Sequence, residues 1–223
     1  MTSDILPSIE LETAPGAGTS VIWLHGLGAD GNDFVPIVPE LGIPSAKPVR
    51  FIFPHAPVRP VTINNGMRMR AWYDIAVADL SNRADLAGVH ESQGLLEALI
   101  AHERTRGIAS AKIALAGFSQ GGAIALYTGV RHADRLAGII GLSTYLIGAG
   151  RLGSEASEAN RGLPIFMGHG TADPVVRYEW ADASRQALEA AGYAVEWHHY
   201  RMEHQVCLEE IVALGAWLTR VLS

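Results

Sequence analysis

The sequence predicts an α/β fold: a mostly parallel central sheet, helices on both faces, and no large cap. Three observations lead there. Short β-rich apolar runs alternate with longer helical patterns along the chain, and strand–helix alternation builds a parallel sheet covered on both faces. The chemically suggestive motifs each fall just after a predicted strand, at the carboxyl edge where ligands of such sheets bind. The length, 223 residues, fits one domain, 1–223, whose core is large enough to need no staples.

Taken in order, Ser20 to Leu24 reads as a buried strand and Val49 to Phe53 as a second. A helical pattern runs from about Asp85 to Arg104. Lys112 to Ala116 is a third strand, followed by a small-residue helix from about Gly121 to Arg131. Leu136 to Leu142 and Pro164 to Gly168 are further strands. A helix spans about Arg177 to Ala191, a strand Tyr193 to His199, and a last helix about Val206 to Leu222. In that helix Ile211, Leu214, Leu218, Val221 and Leu222 keep helical spacing, which predicts one face on the sheet and Glu209, Glu210 and Arg220 on the other. Two stretches read as long loops: Pro54 to Asn65, and Gly148 to Gly162. Long loops in compact domains are often functional; a mobile surface excursion is the other reading of the second. Ser143 to Leu163 has no apolar stripe long enough for an amphipathic lid, and the proline-rich Pro54 to Asn65 cannot be a stable helix.

Composition excludes several function classes. There are 17 basic and 23 acidic residues, no basic run, and only two lysines, Lys47 and Lys112. Nucleic acid binding therefore has no electrostatic footprint. Met1 to Glu12 has neither a basic nor an apolar region of a targeting signal, and no apolar run reaches membrane-span length. The expectation is a soluble, cytoplasmic protein without stable membrane insertion. One cysteine, Cys207, cannot form an internal disulfide, which suits a reducing compartment. Cys207 reads as a small core residue of the last helix, or else as a reactive thiol beside His204.

The strongest chemical signal is Gly117-Phe-Ser119-Gln-Gly121, a G-x-S-x-G between a strand and a helix. A nucleophile at a sharp strand-to-helix turn needs neighbours without side chains, and the following helix aims its positive end at developing negative charge. Next comes His169-Gly-Thr-Ala-Asp173-Pro-Val-Val176, which places Asp173 in a turn after a strand. Asp-Pro is also ordinary turn chemistry. Third is His204, between the last strand and the last helix. Ser, then Asp, then His is the order of the triad in α/β-hydrolases. In it the histidine takes the serine proton and the carboxylate orients the imidazole. Of the other histidines, His198 and His199 lie on one strand and face opposite sides. His90, His102 and His132 fall in helical stretches and read as solvated.

His25-Gly-Leu-Gly28 follows the first strong strand and reads as an oxyanion loop, with the N–H groups of Leu27 and Gln120 as donors. The same loop offers the main rival reading. Gly26-Leu-Gly28-Ala-Asp-Gly31 matches the dinucleotide fingerprint G-x-G-x-x-G. Asp30 would then stand where a pyrophosphate belongs, and the next strand ends in Pro54-His55 rather than an acidic ribose ligand. Met67 to Asp74 lies outside any clear element. Trp72 there is either loop packing or a substrate-binding wall near the nucleophile. No metal-ligand spacing is present.

These motifs together resemble one family. Leu24-His-Gly-Leu-Gly28-Ala-Asp-Gly31, Pro54-His-Ala-Pro57, Ala71-Trp-Tyr-Asp74, Gly117-Phe-Ser-Gln-Gly-Gly122, Leu142-Ser-Thr-Tyr145, His169 to Val176 and His204 run in the order of the small bacterial carboxylesterases grouped with acyl-protein thioesterases and lysophospholipases. The resemblance covers about Val21 to Leu222. It implies an α/β-hydrolase fold, the triad Ser119, Asp173 and His204, and no cofactor. It also implies activity on short- to medium-chain acyl esters, with thioester hydrolysis as the alternative, and it supports Leu27 and Gln120 as donors. The partner expected is a small-molecule ester or thioester; a homodimer is compatible with the sequence. The chain departs from the family at Glu203, where the family has glycine before the catalytic histidine. That carboxylate would either raise the basicity of His204 or point to solvent.

Overall fold

The structure is a computed structural model that describes residues 5–76 and 85–222. The stretch scanned for a targeting signal thus begins outside the described residues. In chain order the elements are β1 (Ser8–Glu12), β2 (Thr19–Leu24), β3 (Val49–Pro54), β4 (Val58–Val61), β5 (Met67–Arg70), α1 (Leu86–Thr105), β6 (Ile113–Phe118), α2 (Gln120–Gly129), β7 (Gly138–Leu142), α3 (Leu152–Glu155), β8 (Pro164–Gly170), α4 (Tyr178–Ala190), β9 (Ala194–Tyr200) and α5 (Leu208–Val221). Short 3-10 turns, of which Val35–Leu41 is the longest, fill some of the connections.

The main sheet has the order β1-β3-β2-β6-β7-β8-β9. All its pairings are parallel except β1 with β3. This is the α/β-hydrolase architecture, without a large cap. The central strands are apolar throughout because both their faces are covered: β7, Gly-Ile-Ile-Gly-Leu, is buried at every residue. Period-2 alternation divides the core into two layers. Ile22, Leu24, Ile113 and Leu115 face one layer with α1, α2 and α4, whereas Val21, Trp23, Ala114 and Ala116 face the other with α5 and the Val35–Leu41 turn. Helix α2 is buried at every residue, which explains its lack of a polar face. Among the described residues no helix is long and apolar enough to cross a membrane.

The predicted strands and long helices appear with ends within two residues of those expected, and five readings are corrected. Residues 8–12 form an antiparallel edge strand that the sequence reading passed over. Pro54 to Asn65 is not a simple loop, nor is Met67 to Asp74 outside any element. Val58–Val61 and Met67–Arg70 pair as a hairpin, closed by Asn65 and Gly66 at φ 54° and 74°. The Asn-Gly pair is the turn signal that marks it. His132 lies beyond α2 and is buried, 2.7 Å from Glu97. Finally, Glu210 is not on the solvent face of α5. It is fully buried together with Leu214, Trp217 and Leu218, its neighbours at helical spacing.

Candidate active site

Three loops at the carboxyl ends of β6, β8 and β9 meet at one point. Ser119 stands between β6 and α2 with φ 54° and ψ −120°, a conformation that costs a non-glycine residue about 1–3 kcal/mol. The surroundings hold it there: its N–H donates to the Leu142 carbonyl at 2.9 Å, and the Thr144 hydroxyl donates to its carbonyl at 2.6 Å. The flanking glycines are required by close approach. A Cβ on Gly117 would overlap the Gly121 carbonyl group, and one on Gly121 would meet the Leu24 and His25 carbonyl oxygens at 2.5 Å.

His204 Nε2 lies 2.9 Å from Ser119 Oγ, and Nδ1 lies 2.7 Å from Asp173 Oδ2. An ionised carboxylate only accepts, so Nδ1 carries the proton and Nε2 is free to accept from the serine hydroxyl. Asp173 is 7% exposed. Burial alone would push its carboxyl up. The hydrogen bond from His204 and those from the Val175 and Val176 N–H groups to Oδ1, at 2.8 and 2.9 Å, outweigh that and hold it below the ordinary value. The aspartate and histidine loops are joined by their backbones, Thr171 N–H to Tyr200 O at 2.8 Å and Ala172 N–H to Met202 O at 3.1 Å. Glu203 is exposed and makes no ion pair with His204 among the described residues, so its carboxylate faces solvent.

The loop after β2 borders the same point. His25 is 1% exposed. Its Nε2 accepts the Ala56 N–H at 3.1 Å, so its proton sits on Nδ1, 2.7 Å from the Gly26 carbonyl. Burial lowers the basicity of this ring, which suits a neutral imidazole. Among the described residues the N–H groups of Leu27 and Gln120 have no protein acceptor; both residues line the cavity beside Ser119. The dinucleotide reading of the same glycines loses its structural basis. After Gly31 the chain enters turns and the 3-10 segment Val35–Leu41, not the helix whose N-terminus would hold a pyrophosphate.

The cavity has a volume of about 260 Å³, and Ser119 and His204 share its lining with Leu27, Tyr73, Ile75, Phe118, Tyr145 and Val175. Trp72 is not among the lining residues. It is 1% exposed and lies behind the wall, where its Nε1 donates to the His25 carbonyl at 2.9 Å and its N–H to Gln120 Oε1 at 2.8 Å. The wall residue is its neighbour Tyr73. Cys207 is half-buried at the N-cap of α5 rather than inside the helix, and burial raises its thiol, which disfavours the reactive thiolate. Sequence reading thus missed Tyr73, Tyr145 and Ile75 as lining groups, and His25 and the Gln120 side chain as anchors. Tyr73 and Tyr145 stood inside motifs already singled out, but only the packing shows which member of each motif faces the cavity.

Comparison with known proteins shows the family. A family described as Phospholipase/Carboxylesterase matches residues 8–222. Acyl-protein thioesterase 1 of Neurospora crassa is 40% identical over 224 residues, covering 96% of this chain and 89% of that protein. Acyl-protein thioesterase 1 of Yarrowia lipolytica is 37% identical over 217 residues, covering 95% and 96%. The crystal structure of Zea mays acyl-protein thioesterase 2 superimposes with a TM-score of 0.83 at 29% identity, covering 97% of this chain and 99% of that one. These relatives are fungal and plant proteins, so the bacterial part of the resemblance gains no support from them.

Proposed function

The chain belongs to the phospholipase/carboxylesterase family, and from that membership we propose that it is a cofactor-free, single-domain serine hydrolase that cleaves acyl thioesters and esters through Ser119, His204 and Asp173. Its relatives establish the broader class, a hydrolase of carboxylic esters and thioesters. The names of those relatives favour the thioesterase form of the reading over a plain carboxylesterase for short- to medium-chain esters. The observation that carries the reading is the hydrogen-bonded chain Ser119–His204–Asp173 opening onto a largely apolar cavity.

The steps follow from the geometry. Ser119 Oγ attacks the acyl carbonyl as His204 Nε2 takes its proton. The carbonyl oxygen becomes an oxyanion and accepts from the Leu27 and Gln120 N–H groups. One such donor contributes about 3–4 kcal/mol in comparable sites. Asp173 stabilises the imidazolium without taking its proton. The carbonyl re-forms, the thiolate or alkoxide leaves and collects the proton from His204, and the acyl group stays on Ser119. Water then repeats the sequence and releases the acid. Trp72 acts at one remove, tying the loop of Leu27 to Gln120.

A panel of nitrophenyl esters and acyl thioesters of graded chain length tests the proposal, with Ser119→Ala as control. Thioester turnover that exceeds oxoester turnover for the same acyl group supports the thioesterase form. Turnover that survives in Ser119→Ala removes the proposal.

A further inference from the structure

Two phenols face each other at the cavity wall. Tyr73 and Tyr145 are 1% and 4% exposed, both line the cavity, and their hydroxyl oxygens are 2.5 Å apart. Burial raises both phenols, Tyr145 to about 12, so both carry their protons throughout the pH range of an esterase assay. A pair of neutral hydroxyls holds two protons but forms one O–H···O bond. Whichever oxygen donates, one O–H is left over, and no described residue accepts from it. A buried O–H without an acceptor is destabilising, and a ligand atom that accepts from it relieves that cost. The cavity that the pair lines has apolar members, Ile75, Phe118, Val175 and Val176 among them, and polar ones at Asp33, Ser119, Gln120 and His204; none of these polar side chains bonds to either phenol.

The pair is also held rigidly beside the nucleophile. The Tyr73 carbonyl accepts from Gln120 Nε2 at 2.7 Å. Tyr145 follows Thr144, whose hydroxyl donates to the Ser119 carbonyl, and the next residue's N–H donates to Ser184 Oγ at 2.8 Å. Both segments are thus bonded to residues 119 and 120, which leaves the phenols little freedom to turn away.

We propose that the Tyr73–Tyr145 pair is a polar subsite of the acyl pocket, which selects acyl chains carrying an oxygen acceptor over plain alkyl chains of the same length. The proposal rests on the hydrolase reading above and refines its substrate class: oxo-, hydroxy- or ether-substituted acyl groups, whose chain oxygen accepts a hydrogen bond from the spare phenolic O–H. A plain alkyl chain would leave that proton unpaired and would displace any water that served it.

The test compares 4-nitrophenyl hexanoate with isosteres in which an ether oxygen replaces each chain methylene in turn. Each rate is divided by that of hydroxide-catalysed hydrolysis of the same ester, which removes the electronic effect of the oxygen. One ether position should show kcat/KM about five- to tenfold above hexanoate, the range of one neutral hydrogen bond. The double replacement Tyr73→Phe/Tyr145→Phe should bring that ratio to near one. Each single replacement leaves one phenol with a free proton and should move the preferred oxygen position. If every ether isostere of the wild-type enzyme is cleaved no faster than hexanoate, or if the preference survives in the double variant, the subsite is disproved while the hydrolase reading stands. If the panel shows no hydrolysis at all, both fall together. Should the double variant fail to fold, the wild-type ratios and the single variants decide the matter.

Discussion

Gln120 and Trp72 are clasped side chain to backbone: Gln120 Oε1 accepts the Trp72 N–H at 2.8 Å, while Nε2 of the same carboxamide donates to the Tyr73 carbonyl at 2.7 Å. The residue whose backbone N–H is assigned to the oxyanion therefore also fixes the acyl wall through its side chain. Gln120→Ala keeps the backbone donor and deletes the clasp, leaving a buried N–H and a buried carbonyl unpaired. The expected result is a loss of about 1–3 kcal/mol in stability together with a higher KM. Thermal melting and steady-state kinetics check both, and an unchanged KM would show that the wall is held by other contacts.

Ser119→Ala, His204→Ala and Asp173→Ala should each lower kcat by orders of magnitude, with losses that do not add, because the three groups act as a unit. Single and double variants measured against one ester decide it. Full additivity would mean that the 2.9 and 2.7 Å contacts are not used together.

Cys207→Ser should retain most activity, since the thiol lies at the N-cap of α5 and outside the hydrogen-bonded chain. An alkyl fluorophosphonate should inactivate the enzyme and add its mass to the peptide holding Ser119. A label found on Cys207 instead would reverse the assignment of the nucleophile.

Glu210 makes stability depend on pH. It is fully buried, neither carboxyl oxygen has a hydrogen-bond partner, and burial pushes it up to about 8 from an ordinary 4.5. The Cys207 N–H pulls the other way from nearby, outside hydrogen-bonding geometry. Below pH 4.5 the group is neutral whether the chain is folded or not. Between there and about 8 the folded chain holds a proton that the unfolded chain has released, so stability falls as pH rises. The loss is complete above the folded value. Burial also raises the Tyr200 phenol and the Cys207 thiol, so neither opens this window. Glu210→Gln should flatten the decline, and its melting temperature should exceed that of the wild type at pH 9. Parallel curves from pH 5 to 9 would contradict this account.

The absence of a large cap bears on lipid substrates. Residues 143–163 hold only short helical turns such as Leu152–Glu155, too short to swing as an amphipathic lid. Initial rate against a short triglyceride should saturate smoothly across its solubility limit. A sharp rise on crossing that limit would identify a moving cover.

Much of the parallel sheet was legible because its strands are short apolar runs, and the serine elbow because Gly117 and Gly121 leave a sequence trace of a steric need. The antiparallel edge strand was not: Ser8–Glu12 carries a half-buried alternation, intermediate at Ser8, Ile9 and Leu11, that a short window does not separate from a tail. The β4–β5 hairpin was obscured by Pro60, which argues against a strand. Glu210 was assigned to solvent on residue type, although its spacing to Leu214 and Trp217 already put it inside. Trp72 stood as either loop packing or a wall near the nucleophile, and the structure gives it the packing role. Adjacent residues face different ways, and the bonds of Trp72 to the His25 carbonyl and to Gln120 keep it behind the wall while Tyr73 lines the cavity.

The hydrogen bond between Ser119 and His204 closes a separation of 85 residues, and that between Asp173 and His204 one of 31. Helices can re-form from local contacts, whereas these closures must await the register of β6 through β9, and contacts distant in sequence are slow to form. On dilution from denaturant, turnover should therefore return after the helical circular-dichroism signal, and the delay between the two would time the docking of the carboxyl-terminal strands. An ordinary esterase assay becomes, for this chain, a clock for the last stage of refolding.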